Sequence, residues 1–156
     1  MTAEGLKLLF GYNYYTMGVN ARDLTHEESL IGPEPGGNCA NWVLGHIVQT
    51  RGAILSLLGE KPVWNAAEGE RYKRGSAPVA GDAAGTKPFP EILEALDRSQ
   101  ESLLAGLSRI KESELGGAET KGSVAEKLAT LQFHEAYHAG QLGLLRRISG
   151  KEGAIK

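Results

Sequence analysis

Four stretches of apolar residues, each repeating at three- and four-residue steps, lie between joins rich in glycine and proline. That spacing marks one buried face of a helix, and nowhere does the two-residue alternation of a strand compete with it. The first stretch, about Ala3 to Leu24, carries Leu6, Phe10, Asn13, Met17 and Leu24. Then Gly32-Pro33-Glu34-Pro35-Gly36-Gly37 breaks the chain, and Asn38 is the expected N-cap of a second helix, about Cys39 to Leu58, which stops at Gly59. Its apolar face is Cys39, Trp42, Val43, Ile47, Ala53, Ile54 and Leu57. The third helix starts near Pro88 or Pro90 and carries Ile92, Leu93, Leu96, Leu103, Leu107 and Ile110. Ser123-Val124-Ala125-Glu126 reads as a capping box that opens the fourth, which runs to Ser149 and is closed by Gly150. The pattern predicts an all-α fold, a four-helix bundle. Residues 59–88 show no period and form a join too long for an ordinary turn, which makes them a crossover or a lid.

At 156 residues the chain has the size of a single domain, expected to span 1–156. Hydrophobic residues at 41% and charged residues at 23% suit a packed core rather than a disordered chain. With 17 basic against 19 acidic residues, there is no cationic surplus of the kind that nucleic acids or anionic membranes attract. No nucleic-acid or membrane partner is expected; the expected partner is a small-molecule substrate. The one cysteine, Cys39, has no internal partner for a disulfide and falls on an apolar face, so it reads as core. No apolar run approaches 18 residues, and the expected location is the cytoplasm.

Chemistry concentrates on histidine. Of the four, His134 and His138 form the run His134-Glu135-Ala136-Tyr137-His138, an H-E-x-x-H pattern. Residues four apart sit one above the other on a helix, so both rings can reach a single ion. On a helical wheel His138 lies about 40° to one side of His134 and Gln141 about 20° to the other, within the stripe that carries Leu131, Leu142 and Leu145. His46 falls on the inward face of the second helix in the same way. Three imidazoles aimed at one core suggest a three-histidine metal site. His26, in the polar run Thr25-His26-Glu27-Glu28, is expected to be solvated.

The pattern also occurs in metalloproteases, where the glutamate is the general base. Here the longer form of that signature fails, because Gln141 and Leu144 stand where glycine and histidine are required. The short tail after His138 offers only Glu152 as a further acidic ligand, and a substrate-binding sheet is missing upstream. The third ligand must come from earlier in the chain, and His46 fits. Glu135, at the edge of the inward arc, is open to three roles: general base, partner of a ligand imidazole, or surface carboxylate. Gln141 could bond water or substrate at the site, or be a buried amide held by Asn13 or backbone. Trp42 either walls the site or simply packs, and Asn13 carries the same ambiguity. In the long join, Arg74 either meets an acidic substrate group or is solvated.

Several segments carry a resemblance in the same order along the chain. They are Tyr12-Asn13-Tyr14-Tyr15, Asn41-Trp42-Val43-Leu44-Gly45-His46-Ile47, Tyr72-Lys73-Arg74-Gly75-Ser76 and His134-Glu135-Ala136-Tyr137-His138-Ala139-Gly140-Gln141-Leu142. With them the chain resembles the DinB-like (DNA-damage-inducible, YfiT-like) superfamily of metal-binding four-helix bundles. It departs from that pattern at Ala139, where many relatives carry a basic residue. The resemblance implies a long crossover between the second and third helices, a homodimer, and a divalent metal, zinc or nickel, held by His46, His134 and His138. It further implies either a thiol-dependent transferase or isomerase using a low-molecular-weight thiol, or a metal-dependent hydrolase. Three neutral ligands leave a divalent ion an open position, the catalytic rather than the structural pattern. The other class open to such a chain is a non-catalytic metal-binding or sensing bundle.

Overall fold

The structure is a computed structural model, which describes residues 1–79, 81–117 and 119–155. Its helices are α1 (Ala3–Ala21), α2 (His26–Ser29), α3 (Ala40–Leu57), α4 (Ala66–Gly69), α5 (Phe89–Arg109), α6 (Glu112–Leu115) and α7 (Val124–Ile148), with a 3-10 turn at Glu70–Tyr72. There is no strand among the described residues. The four long helices are those the apolar spacing predicts, and the short ones lie in the joins.

Each long helix packs on two others: α1 on α5 and α7, and α3 on α5 and α7. Paired residues give the directions. Asn41 meets Lys87, Arg51 meets Ser99, and Leu58 meets Gly106, so α3 and α5 run parallel. Asn13 meets Gln132 and Asn20 meets Arg146, so α1 and α7 also run parallel. One apolar cluster joins Val43 and Ile47 to Leu142 and Leu145, and the other joins Ile54 and Leu55 to Ala125 and Leu128, so α3 is antiparallel to α7.

Parallel neighbours cannot be joined by a tight turn, so residues 59–88 must return along the whole bundle, roughly 30 Å for helices of this length. They do so against the outer side of α3, as a crossover rather than a lid. Pro62 lies at Gly52, Gly69 at Gln49 and Tyr72 at Gly45, and the Cys39 thiol points to the Val79 carbonyl at 3.6 Å. Trp64, Tyr72 and Val79 are buried in the same apolar cluster as α3. At Gly45 the approach is so close that a Cβ would lie 2.3 Å from the Tyr72 ring, which leaves room for glycine alone.

The core falls into two apolar clusters. One gathers Met17, Val43, Ile47, Leu96 and Leu142; the other gathers Leu6, Phe10, Ile54, Leu103 and Leu128. Between them, in sequence on each helix, lie Arg51, Ser99 and Glu135, all buried.

Some local expectations are corrected. Cys39, not Asn38, is the N-cap of α3 and makes no side-chain cap bond. Ser123 caps α7 by accepting from the Glu126 N–H at 3.0 Å, but the Glu126 carboxylate reaches one residue further back, to the Gly122 N–H at 2.8 Å. Ala53 is exposed rather than core. His26 is half-buried, not solvated: its Nδ1 accepts the Phe89 N–H at 3.2 Å. The physical reason is the start of α5, where Pro88 sits at the N-cap with no side chain to accept a bond.

Candidate metal centre

Three side chains from two antiparallel helices converge beside the crossover. His46 comes from α3, and His134 and His138 come from successive turns of α7. Their ligand atoms all lie within 4.8 Å of one another, so the three could hold a metal ion. His46 Nε2 is 3.2 Å from His134 Nε2, and His138 Nε2 is 3.1 Å from the same atom. Metal–nitrogen bonds of about 2.0–2.1 Å at a tetrahedral angle put donor nitrogens about 3.3 Å apart, close to these spacings.

The far side of two rings is held by the protein. His46 Nδ1 is 2.7 Å from the Tyr72 carbonyl oxygen, which can only accept, so this nitrogen carries the hydrogen and Nε2 presents a lone pair. His138 Nδ1 stands in the same relation to Gln141 Oε1 at 2.6 Å, while Gln141 Nε2 donates to the Tyr137 hydroxyl at 3.3 Å. Two lone pairs thus face His134 Nε2, which carries at most one hydrogen. At least one of the two short nitrogen–nitrogen contacts then sets lone pair against lone pair. A cation at the centre removes that conflict; a proton on His134 removes only half of it. The donor set fits a divalent ion.

Burial keeps the rings neutral. It lowers the pKa of His46 and of His134, with the charge of Arg74 adding to the effect in both and His46 adding to it in His134. For His138 burial is again the largest cause, and the value falls to about 4. A neutral imidazole is the form that binds metal.

A family model described as the DinB superfamily matches residues 19–142, a span that holds all three histidines. The chain belongs to the DinB superfamily. Compared with curated proteins, the sequence matches none.

The remaining sequence-derived residues of this DinB-superfamily chain have separate places. Trp42, one turn before His46, stacks on its ring with centroids 4.8 Å apart and planes 12° apart. Its Nε1–H donates to the Ser76 hydroxyl at 2.9 Å, and Ser76 in turn donates to the Arg71 carbonyl at 2.8 Å. Trp42 therefore both walls the site and ties the crossover to it. Gln141 orients His138, rather than resting on Asn13. Asn13 donates to the Gln132 carbonyl at 3.1 Å and so fastens α1 to α7.

Glu135 requires a correction. It is not a surface carboxylate, and it bonds to Arg51 rather than to a ligand imidazole. It is 2% exposed and bound by both oxygens to Arg51, at 2.7 and 2.8 Å. Arg51 also donates to Ser99 at 3.0 Å. The histidines of the run face His46 on α3, while the glutamate, 100° around the helix from His134, meets Arg51 in the polar layer between the core clusters.

Arg51 itself escapes a reading centred on histidine. Its signal is a lone charge inside the apolar row Ile47, Val48, Ile54 and Leu55. The Tyr72 carbonyl leaves no such signal, because a backbone oxygen carries no residue identity.

Proposed function

We propose that this DinB-superfamily chain is a metalloenzyme that uses the open three-histidine site to activate a low-molecular-weight thiol for transfer to a small electrophile. The observation that carries the reading is the convergence of two fixed Nε2 lone pairs on His134, with the opposite ring nitrogens held by Tyr72 and Gln141. A divalent ion there, zinc or nickel, would lower the pKa of a thiol or a water at neutral pH.

Thiol is favoured over water by the fate of Glu135. A hydrolase gains from a carboxylate that takes the proton of the attacking water, and the one carboxylate in the motif is consumed by Arg51. A thiol starts from a pKa near 8.5 and needs no such base. Its proton goes to solvent, its sulfur forms the bond to the electrophilic carbon, and the leaving group departs with the electron pair of the bond that breaks. His46 and His138 keep their tautomers through this, since each Nδ1–H stays donated to a carbonyl oxygen.

Arg74 supports an anionic group on one reactant. It is exposed, and it sits midway between Tyr72 and Ser76, the two residues that tie the crossover to His46 and Trp42. The homodimer is part of the same proposal. Phe133, Tyr137 and Leu144 form an exposed apolar row on α7, and Leu8, Tyr12 and Tyr15 form another on α1; sedimentation of a Phe133→Glu variant tests it by loss of the dimer mass.

The activity test is a screen of the zinc- and nickel-loaded protein with low-molecular-weight thiols and carbon electrophiles, followed by thiol consumption. Turnover that requires the metal supports the reading. Stoichiometric metal with no thiol turnover, but hydrolysis of an ester or amide panel, would move the function to the hydrolase class.

A further inference from the structure

A cleft of about 550 Å³ opens between α3 and α7, lined by Ala53, Ser56, Leu57, Thr130, Leu131 and Lys127 along with Glu126. That volume is in the range of small-molecule sites. Its residues lie on the same faces as the histidines. On α3, His46, Ala53 and Leu57 follow at seven and eleven residues, and on α7 His134 is three residues beyond Leu131 and seven beyond Lys127. Leu131 is thus less than one turn, about 4.5 Å, along α7 from His134. Ala53, Leu57 and Leu131 give it an apolar lining, alongside the polar Ser56, Thr130, Lys127 and Glu126.

Ala53 marks the cleft as unlike the rest of the α3 face. The apolar spacing places it in the core, yet it is exposed.

We infer that this cleft holds the apolar arm of a reactant whose thiol sits at the three histidines, so that the enzyme selects aliphatic thiols over small polar ones. The inference rests on the reading of the histidines as an open metal site, and it adds the substrate class. Arg51 of α3 and Glu135 of α7 are buried and pair with each other, so neither leaves an uncompensated charge between the two helices. The charges of Lys127 and Glu126 lie at the end remote from His134, where a polar tail of the arm would meet water.

The test uses the full chain loaded with cobalt(II), whose visible spectrum reports a bound thiolate, and ω-hydroxyalkanethiols of two, four, six and eight carbons. The expected dissociation constant falls roughly threefold to fourfold per added methylene up to at least six carbons, the gain of moving one CH₂ out of water. In Ala53→Phe, an exposed position that the fold does not need, the chain-length dependence flattens while 2-mercaptoethanol binds within twofold of the parent. A flat dependence in the parent, with a clear thiolate band, overturns the cleft and leaves the metal reading standing. Cobalt uptake with no thiolate band for any member, or no uptake, overturns both. An Ala53→Phe protein that keeps the steep dependence, or that loses a dimer in sedimentation instead, assigns the cleft elsewhere and overturns the inference.

Discussion

Replacing Glu135 by glutamine should damage the fold and spare the metal. The substitution keeps the shape of the side chain but removes its charge from Arg51, whose guanidinium is fully buried and bonded to both carboxylate oxygens at 2.7 and 2.8 Å. What remains for Arg51 is the glutamine's own carbonyl oxygen, with Ser99 and the Leu96 carbonyl at 3.0 and 3.4 Å. Those are neutral acceptors and cannot balance a charge. Breaking one side of a buried pair costs about 3–5 kcal/mol, against a total stability of about 5–15 kcal/mol for a domain. At about 2–4 °C per kcal/mol for a chain of this size, the melting temperature should fall by roughly 6–20 °C. The assay is urea and thermal unfolding followed by circular dichroism, with metal content measured on the same preparation. A double variant, Arg51→Met with Glu135→Leu, removes both charges and should recover most of the loss, which also covers the case in which the single variant does not fold. An unchanged melting temperature in Glu135→Gln together with lost turnover would refute this reasoning and restore the glutamate as a base.

Three shorter expectations follow from the same contacts. Gly45→Ala should cost about 1–3 kcal/mol by overpacking, since the new methyl meets the Tyr72 ring, and should weaken metal binding as well, because Tyr72 carries the carbonyl that holds His46; denaturation and chelator competition read the two effects. Gln141→Leu should lower metal affinity by about 10–100-fold through the freed His138 ring, with little change in unfolding midpoint at neutral pH. In the metal-stripped protein the pKa values of His46, His134 and His138 lie below their unfolded ones, so the unfolded state takes up protons first; stability should therefore fall as pH drops below about 6.5 and continue to fall until about 4 for His138. Urea midpoints at pH 7, 5.5 and 4.5 measure this, and a parent whose midpoint changes no more than that of His138→Phe over the range would contradict it.

The bundle was legible because its evidence is periodic. Leu6, Phe10 and Met17, or Ile92, Leu96 and Leu103, repeat on a face whatever lies opposite, and all six are buried. The three histidines were legible for the same reason, as polar breaks in such faces. Two kinds of information were not carried by spacing. One is pairing across helices: Glu135 sits at a wheel angle open to several roles, and only the arrival of Arg51 from α3 and Ser99 from α5 decides among them. The other is the path of the crossover. Residues 59–88 have no period, yet Trp64 and Tyr72 bury themselves against α3, and the deciding sequence features are the small residues Gly45 and Gly52 on the receiving helix. His26 shows the limit of reading neighbours in sequence: surrounded by polar residues, it is drawn in by a proline-started helix 63 residues away.

The central claim is that His46, His134 and His138 share one ion. Elemental analysis of the purified, untagged protein beside His46→Ala tests it most directly, since that variant removes the one ligand outside the H-E-x-x-H run. The account predicts about one zinc or nickel per chain in the parent and almost none in a still-helical variant. Full metal content in His46→Ala, or none in either protein after reconstitution, would contradict it.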